Sequence, residues 1–358
     1  MRARDLGIRL LGDTGPLNAI TDVPGVEVGY TTLIEGDAVR TGVTAVLPRG
    51  RSGINVPCTA GWYSLNGNGE MTGTTMLSEA GQLRMPVLIT NTHAVGPCHR
   101  GAIDWAAREH PEVAAQWLLP VVAETWDGYL NDINGPHVRP EHAVAAIEDA
   151  KPGPVAEGSL GGGTGMNCYA FKGGNGTSSR VVRYEQDTYT VGVFLQANFG
   201  GRRELTVAGV PVGEALTDDN PIEDGDWKTP PGAGSVIVVV ATDAPLLPGQ
   251  CSALARRVPL GLARTGTTGS HFSGDIFLAF STGNAASMTP SAFSEGDLGY
   301  DQVRNIPWSR MDDLFTAVVY ATEEAVLNAL TAGRDMTGRD GRRSPGLPLD
   351  RVAELVKR

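Results

Sequence analysis

Short apolar runs bounded by turn residues recur along the chain and are interleaved with stretches whose apolar positions return every three or four residues. The first pattern predicts strands: "GVTAVLP" from Gly42, "MPVLITNTH" from Met85, "TYTVGVFLQANFG" from Thr188, "SVIVVVAT" from Ser235 and "DIFLAFST" from Asp275. Val236 to Ala241 has no polar alternation, so it reads as a strand covered on both faces. The second pattern predicts helices. "HAVAAIEDA" from His142 is one, and "SRMDDLFTAVVYATEEAVLNALTAG" from Ser309 is another, its stripe of Leu314, Val318, Ala321, Ala325 and Leu330 stopping at Gly333. Leu247 to Leu262 also predicts a helix, with Leu254, Val258 and Leu262 four apart, and Pro259 is expected to kink or end it. Strands mixed with helices and no strict βαβ rhythm imply an α+β layered sandwich.

Composition narrows the function classes. The 358 residues, 41% of them hydrophobic, suffice for a large core. A net charge of -11 argues against a nucleic-acid partner, which needs a basic face. The N-terminal stretch lacks a secretory apolar region and no window reaches a membrane-spanning length. Cys58, Cys98, Cys168 and Cys251 are far apart and form no C-x-x-C pair, which fits packing roles in a reducing cytoplasm. "GGGTG" at Gly161 to Gly165 lacks the following Gly-Lys-Ser/Thr of a phosphate loop, and "GNGEMTG" from Gly67 is one residue too long for a dinucleotide fingerprint. Both read as tight turns. No serine stands in G-x-S-x-G, and the six histidines form no H-E-x-x-H, so neither a nucleophile elbow nor a catalytic metal is expected.

One segment breaks the short-loop rule. Gly213 to Gly234 reads "GEALTDDNPIEDGDWKTPPGAG", without apolar periodicity and with carboxylates at Asp218, Asp219, Glu223, Asp224 and Asp226. Structureless loops of this length inside compact domains are usually functional or mobile. This one ends where a buried strand begins with a serine. Gly234-Ser235 reads either as an ordinary loop end or as a nucleophile presented by a rigid strand. If Ser235 is a nucleophile and histidine is not its base, a free α-amino group, with a pKa of about 7.7 to 8.0, is a usable one. Cutting the Gly234–Ser235 bond would create it: glycine tolerates strained dihedrals and leaves its carbonyl open to Ser235 Oγ, an N-to-O acyl shift follows, and water releases the new chain end. The acidic loop is then expected to swing aside.

The stretches "PGAGSVIVVVATDAPLLPGQ", "AETWDGYLNDINGPHV", "VGVFLQANFGGRRELTVAGVPVG", "WYSLNGNGEMTG", "GGGTGM" and "LNAITDVPGVEVGYTT" together resemble the self-processing aminopeptidases of the DmpA/BapA type, which comprise L-aminopeptidase/D-amidase-esterases and β-peptidyl aminopeptidases. The resemblance runs in order from about Leu17 through the C-terminal helix. It implies one domain over 1–358, a four-layer αββα sandwich of the N-terminal-nucleophile-hydrolase type (DmpA/ornithine acetyltransferase-like), self-cleaved into 1–234 and 235–358. Carried over residue by residue, it makes Ser235 the nucleophile and, through its freed amine, the base. Ser273 and Asp275 would orient that amine, Asn198 would donate to the oxyanion, and Glu124 would hold the substrate's free amino group. Trp126 stands where the family often has tyrosine. That keeps an aromatic wall and loses a hydroxyl, which Tyr129 would have to replace if it is needed. The activity implied is removal of small N-terminal residues from peptides, amides or esters through an acyl-enzyme, without cofactor or metal, in a homo-oligomer of αβ units. An acyltransferase of the same architecture, an uncleaved binding module and a phosphate-binding module on "GGGTG" are the alternatives.

Overall fold

The computed structural model describes residues 1–54, 56–115, 117–226, 233–287 and 300–357. Among these, two main sheets lie face to face. One is four-stranded, in the order β1 (Glu27–Glu35), β2 (Val39–Leu47), β5 (Val87–Asn91), β6 (Val121–Thr125). The other runs β4 (Gln82–Leu83), β3 (Cys58–Ser64), β12 (Ser273–Ser281), β11 (Gly234–Thr242), β10 (Asp187–Asn198), β9 (Gly174–Tyr184). A two-stranded ribbon, β7 (Asn167–Cys168) with β8 (Phe171–Lys172), sits beside them. The helices are α1 (Thr74–Ala80), α2 (Val95–Glu109), α3 (Pro111–Ala114), α4 (Pro140–Asp149), α5 (Val212–Ala215), α6 (Pro221–Asp224), α7 (Pro248–Ala255), α8 (Val258–Ala263), α9 (Asp312–Ala332) and a C-terminal α10 (Leu349–Val356).

Three apolar clusters fill the gaps between four layers. Trp105 and Ala106 of α2 and Ala146 and Ile147 of α4 pack on Val43, Ala45 and Leu88 of the first sheet. Val46 and Ile89 meet Phe194, Ile237 and Leu278 between the sheets. Val238 and Phe277 meet Leu254, Val258, Val318 and Ala325 under α7, α8 and α9. This is an αββα sandwich.

β11 shows how one strand serves two cores. Val236, Val238 and Val240 face the helices, Ile237, Val239 and Ala241 face the other sheet, and all six are fully buried. Each buried Val or Ile contributes about 1.5–3 kcal/mol, so an uninterrupted apolar run is what the position demands. By the same alternation Ser235 shares the face of Ile237 and points between the sheets at the mouth of the strand.

Several sequence expectations are modified. Leu247–Leu262 is two helices broken at Arg256 and Arg257, and Pro259 lies in the first turn of α8. A proline lacks the N–H needed to continue α7 but is well tolerated at a helix start. Pro259 therefore begins a helix rather than kinking one. The acidic segment carries the single-turn helices α5 and α6, and its portion 227–232, with the two prolines, lies outside the described residues. The part that is described is tied down. The Arg202 guanidinium, buried over the Phe171 ring, donates to the carbonyls of Leu216 (2.9 Å), Asp218 (3.2 Å) and Asp219 (3.3 Å), while Arg343 and Arg351 pair with Asp219 and Asp218. An outward swing of the whole segment would cost the buried guanidinium these three acceptors and leave it only the carbonyls of Tyr169 and Ala170, which opposes the expected swing for Leu216 to Asp219.

"GGGTG" forms a 3-10 turn (Gly161–Gly163) wedged between the sheets. Its Gly161 and Gly162 N–H groups donate to Thr32 Oγ1 (2.8 Å) and Thr44 Oγ1 (3.1 Å). A Cβ at Gly162 would sit 2.3 Å from Gln196 Oε1, so the glycines serve close packing. Those donors are spent inside the protein and the three glycines are buried, which removes the phosphate-binding reading.

Candidate active site

Three elements converge on the start of β11. Antiparallel pairing with β10 sets Asn198 opposite Ser235, and parallel pairing with β12 sets Ser273 beside Gly234 and Asp275 beside Val236. The end of β6, in the other sheet, arrives from across the sandwich. Ser235 is only 2% exposed. Its Oγ accepts two hydrogen bonds of 3.2 Å, from Asn198 Nδ2 and from the backbone N–H of Trp126.

The Asn198 amide is oriented by its other contacts. Nδ2 also donates to Trp126 O at 2.8 Å, and Oδ1 accepts the Asn167 N–H at 2.9 Å. An N–H on the carbonyl side and a carbonyl on the amine side allow only one flip of the side chain. The donor therefore faces Ser235.

Ser273 and Asp275 form a second group. Ser273 Oγ donates to Asp275 Oδ1 at 2.5 Å, Asn66 Nδ2 donates to Asp275 Oδ2 at 2.8 Å, and Asn66 Oδ1 accepts the Asp275 N–H at 2.7 Å. The carboxylate also takes the Val236 backbone amide. Burial pushes the Asp275 carboxyl above its usual range, while the Ser273, Asn66 and Val236 hydrogen bonds pull it back. Ser273 and Asp275 share the face of Phe277, the helix-facing side of β12, whereas Ile276 faces the other sheet, the side of the Ser235 hydroxyl. They face the backbone from Gly234 to Val236, where an α-amine on Ser235 would emerge.

Gly234 has no left-handed φ, contrary to the strain expected there. What the position requires is room. A Cβ would stand 3.0 Å from both Asn198 O and Phe199 Cα and 3.3 Å from Ser273 Oγ. Glycine lets the β10 backbone and the Ser273 hydroxyl close onto this peptide.

Glu124, 2% exposed in β6, accepts the Glu70 N–H at 2.9 Å and the Thr92 hydroxyl. Burial raises its carboxyl and those two bonds oppose the rise. The loop that brings Glu70 also carries Asn66, and its Gly69 packs on Gly274 so closely that a Cβ would lie 2.9 Å from the Gly274 Cα. "NGNGE" thus connects the Asp275 and Glu124 groups. Nothing in its composition marks Asn66, Thr92 or the Glu70 amide as site residues; a Gly-Asn-Gly run next to a strand is the only cue, and it signals close backbone approach.

Trp126 meets the nucleophile through its main chain. Its backbone N–H reaches Ser235, a contact that a tyrosine there would make equally well, and its ring lies over Gly128, where a Cβ would come within 2.4 Å of Cζ2. The Tyr129 hydroxyl reaches the carbonyls of Pro221 (3.3 Å) and Arg343 (3.2 Å). Among the described residues no group of three His, Cys, Asp or Glu side chains could hold a metal.

An αββα sandwich with a serine at the mouth of a central strand, gripped by an amide and a backbone N–H and bonded to no histidine, has the architecture of an N-terminal-nucleophile hydrolase. The family profile of peptidase family S58 matches residues 18–344. The chain is 48% identical to the β-peptidyl aminopeptidase BapA of Sphingosinicella microcystinivorans over 100% of its own length and 92% of that protein's. Two solved structures superpose closely. A β-aminopeptidase of Burkholderia sp. does so with a TM-score of 0.90, 46% identity and coverage of 100% and 98% of the two chains. The L-aminopeptidase D-Ala-esterase/amidase of Ochrobactrum anthropi, described as a prototype for the serine aminopeptidases and a new variant among the Ntn hydrolase fold, does so with 0.92, 42%, 99% and 98%. The chain belongs to peptidase family S58 and is a serine aminopeptidase of the Ntn-hydrolase type.

Proposed function

We propose that the chain cuts its own Gly234–Ser235 bond and then removes small N-terminal residues, β-aminoacyl groups among them, from peptides, amides or esters through an acyl-enzyme on Ser235. The observation that carries this is the grip of Asn198 Nδ2 and the Trp126 N–H on Ser235 Oγ, directly after a glycine. In maturation Oγ adds to the Gly234 carbonyl carbon and the C–N bond breaks, leaving an ester and a free Ser235 amine. Water then hydrolyses the ester, so that Gly234 ends the first fragment. In turnover the amine takes the Oγ proton as Oγ attacks the substrate carbonyl and gives it to the departing amine; water repeats the sequence to free the acid. Asn198 Nδ2 and the Trp126 N–H are the donors available to the oxyanion. Glu124 receives the substrate ammonium, which confines attack to the first residue.

The pH dependence follows from Asp275. A carboxylate beside the amine favours its ammonium form and so raises its pKa. Asp275→Asn should move the rising limb of kcat/KM to lower pH, where the amine now loses its proton, and reduce the maximum because the amine is less basic and less well oriented. A rising limb that stays in place would separate Asp275 from the base. Hydrolysis is distinguished from acyl transfer by offering an amine acceptor and analysing products; acid as the main product supports the hydrolase.

We further place the protein in a reducing cytoplasm as a homo-oligomer of αβ units. All four thiols are free and buried, and among the described residues no helix is long and apolar enough to cross a membrane. Met76, Trp117 and Leu119 leave an exposed apolar patch for assembly. A sedimentation mass of one αβ unit would count against the assembly.

A further inference from the structure

Lys172 is fully buried, yet among the described residues it forms no ion pair. Its Nζ donates instead to two carbonyls, Met166 O at 2.5 Å and Gly173 O at 3.2 Å. A buried amine is costly, and a methionine would fill the same volume more cheaply. Burial pushes Lys172 down to about 7, a direction that Cys168 and Asp127 oppose.

The carbonyl it holds belongs to a particular peptide. Met166 C=O and Asn167 N–H are the two ends of one amide plane, and that N–H is the group donated to Asn198 Oδ1. The contacts therefore form one chain: Lys172 Nζ to Met166 O, Asn167 N to Asn198 Oδ1, Asn198 Nδ2 to Ser235 Oγ. Each donor-to-acceptor step polarises the next amide in the same sense and strengthens the following N–H as a donor. The ribbon of β7 and β8 makes the geometry possible, because Asn167 and Lys172 are directly paired across it.

We propose that Lys172 is a positioning residue for the reaction: by fixing and polarising the Met166–Asn167 peptide it aims the Asn198 amide at the oxygen that develops negative charge. This rests on the reading of Asn198 as an oxyanion donor. An oxyanion donor is worth about a hundred- to a thousandfold in kcat. Losing its polarisation and part of its aim forfeits a fraction of that, about tenfold.

The test is a double-mutant cycle on Lys172→Met and Asn198→Ala, read as kcat and KM of the cleaved fraction and as the rate of precursor cleavage. Lys172→Met is expected to lower kcat about tenfold with KM changed less than twofold, and to have less than a twofold effect in the Asn198→Ala background. An unchanged kcat, or the same tenfold loss in both backgrounds, would overturn the proposal, since a merely structural role is additive. If Asn198→Ala alone leaves both rates unchanged, the oxyanion reading fails instead. Should Lys172→Met not fold, Lys172→Gln, an uncharged donor, replaces it in the cycle and should retain part of the loss. In the wild-type protein the Asn167 amide should exchange its hydrogen slowly, and rapid exchange would contradict the chain of contacts whatever the variants do.

Discussion

Ser235→Ala should accumulate as one uncut chain and lose turnover by roughly four to six powers of ten, the loss seen when a serine hydrolase gives up its nucleophile. Both effects have one origin, because the same Oγ attacks Gly234 once and the substrate thereafter. The site should otherwise survive: Ser235 is one small side chain at a strand mouth, and the six apolar residues behind it hold β11 in both cores. A folded, uncut and inactive variant is the expected set of results. Cleavage at an unchanged rate in Ser235→Ala would assign maturation to another group.

Glu124→Gln should lower kcat/KM by about a hundred- to a thousandfold, chiefly through KM, because truncating one side of a desolvated charge pair costs about 2–5 kcal/mol. The carboxylate keeps capacity for a substrate ammonium beyond its bonds to the Glu70 amide and the Thr92 hydroxyl. N-acetylated substrates should fail with the wild type for the same reason. The sign with pH is fixed by burial, which raises the Glu124 carboxyl: as pH falls its charge is lost earlier than that of an exposed glutamate, so KM should climb on the acid side sooner. Equal turnover of acetylated and free substrates would remove Glu124 from this role.

The layered α+β class was legible because β5, β10, β11 and β12 are apolar on both faces and α9 carries a continuous stripe. β9 escaped the pattern although most of it is buried. Its "GNGTSSR" is polar because its groups bond inward: Thr177 Oγ1 donates to Val193 O at 2.7 Å, Ser178 Oγ to Ala321 O at 2.6 Å, and Arg180 pairs with the buried Glu324 at 2.6 Å. A Cβ on Gly176 would lie 2.0 Å from Ala325 O, so glycine is needed for α9 to approach. Hydropathy reads such a strand as a loop. Removing Glu324 leaves the buried Arg180 guanidinium without its carboxylate, at about 3–5 kcal/mol, whereas removing Arg180 leaves Glu324 paired with Arg4 at 2.8 Å.

The sequence named candidate residues that the fold brings together, and less of their geometry was legible in it. Ser235, Asn198, Ser273, Asp275 and Glu124 gather where two sheets end, but no pattern in the chain separates a side-chain contribution from a backbone one. Trp126 illustrates this, since its N–H rather than its ring meets Ser235. Asn66 and Thr92 contribute single polar atoms from turns, which carry no periodicity. Arg202 lay in a quoted stretch, yet its grip on the carbonyls of the acidic segment follows from burial that a string of charges does not reveal.

Denaturing mass spectrometry of catalytically active protein tests the central claim most directly. Two species corresponding to residues 1–234 and 235–358, with a free serine amine beginning the second, are expected. A single 37.6 kDa species carrying the full activity would contradict the N-terminal-nucleophile mechanism.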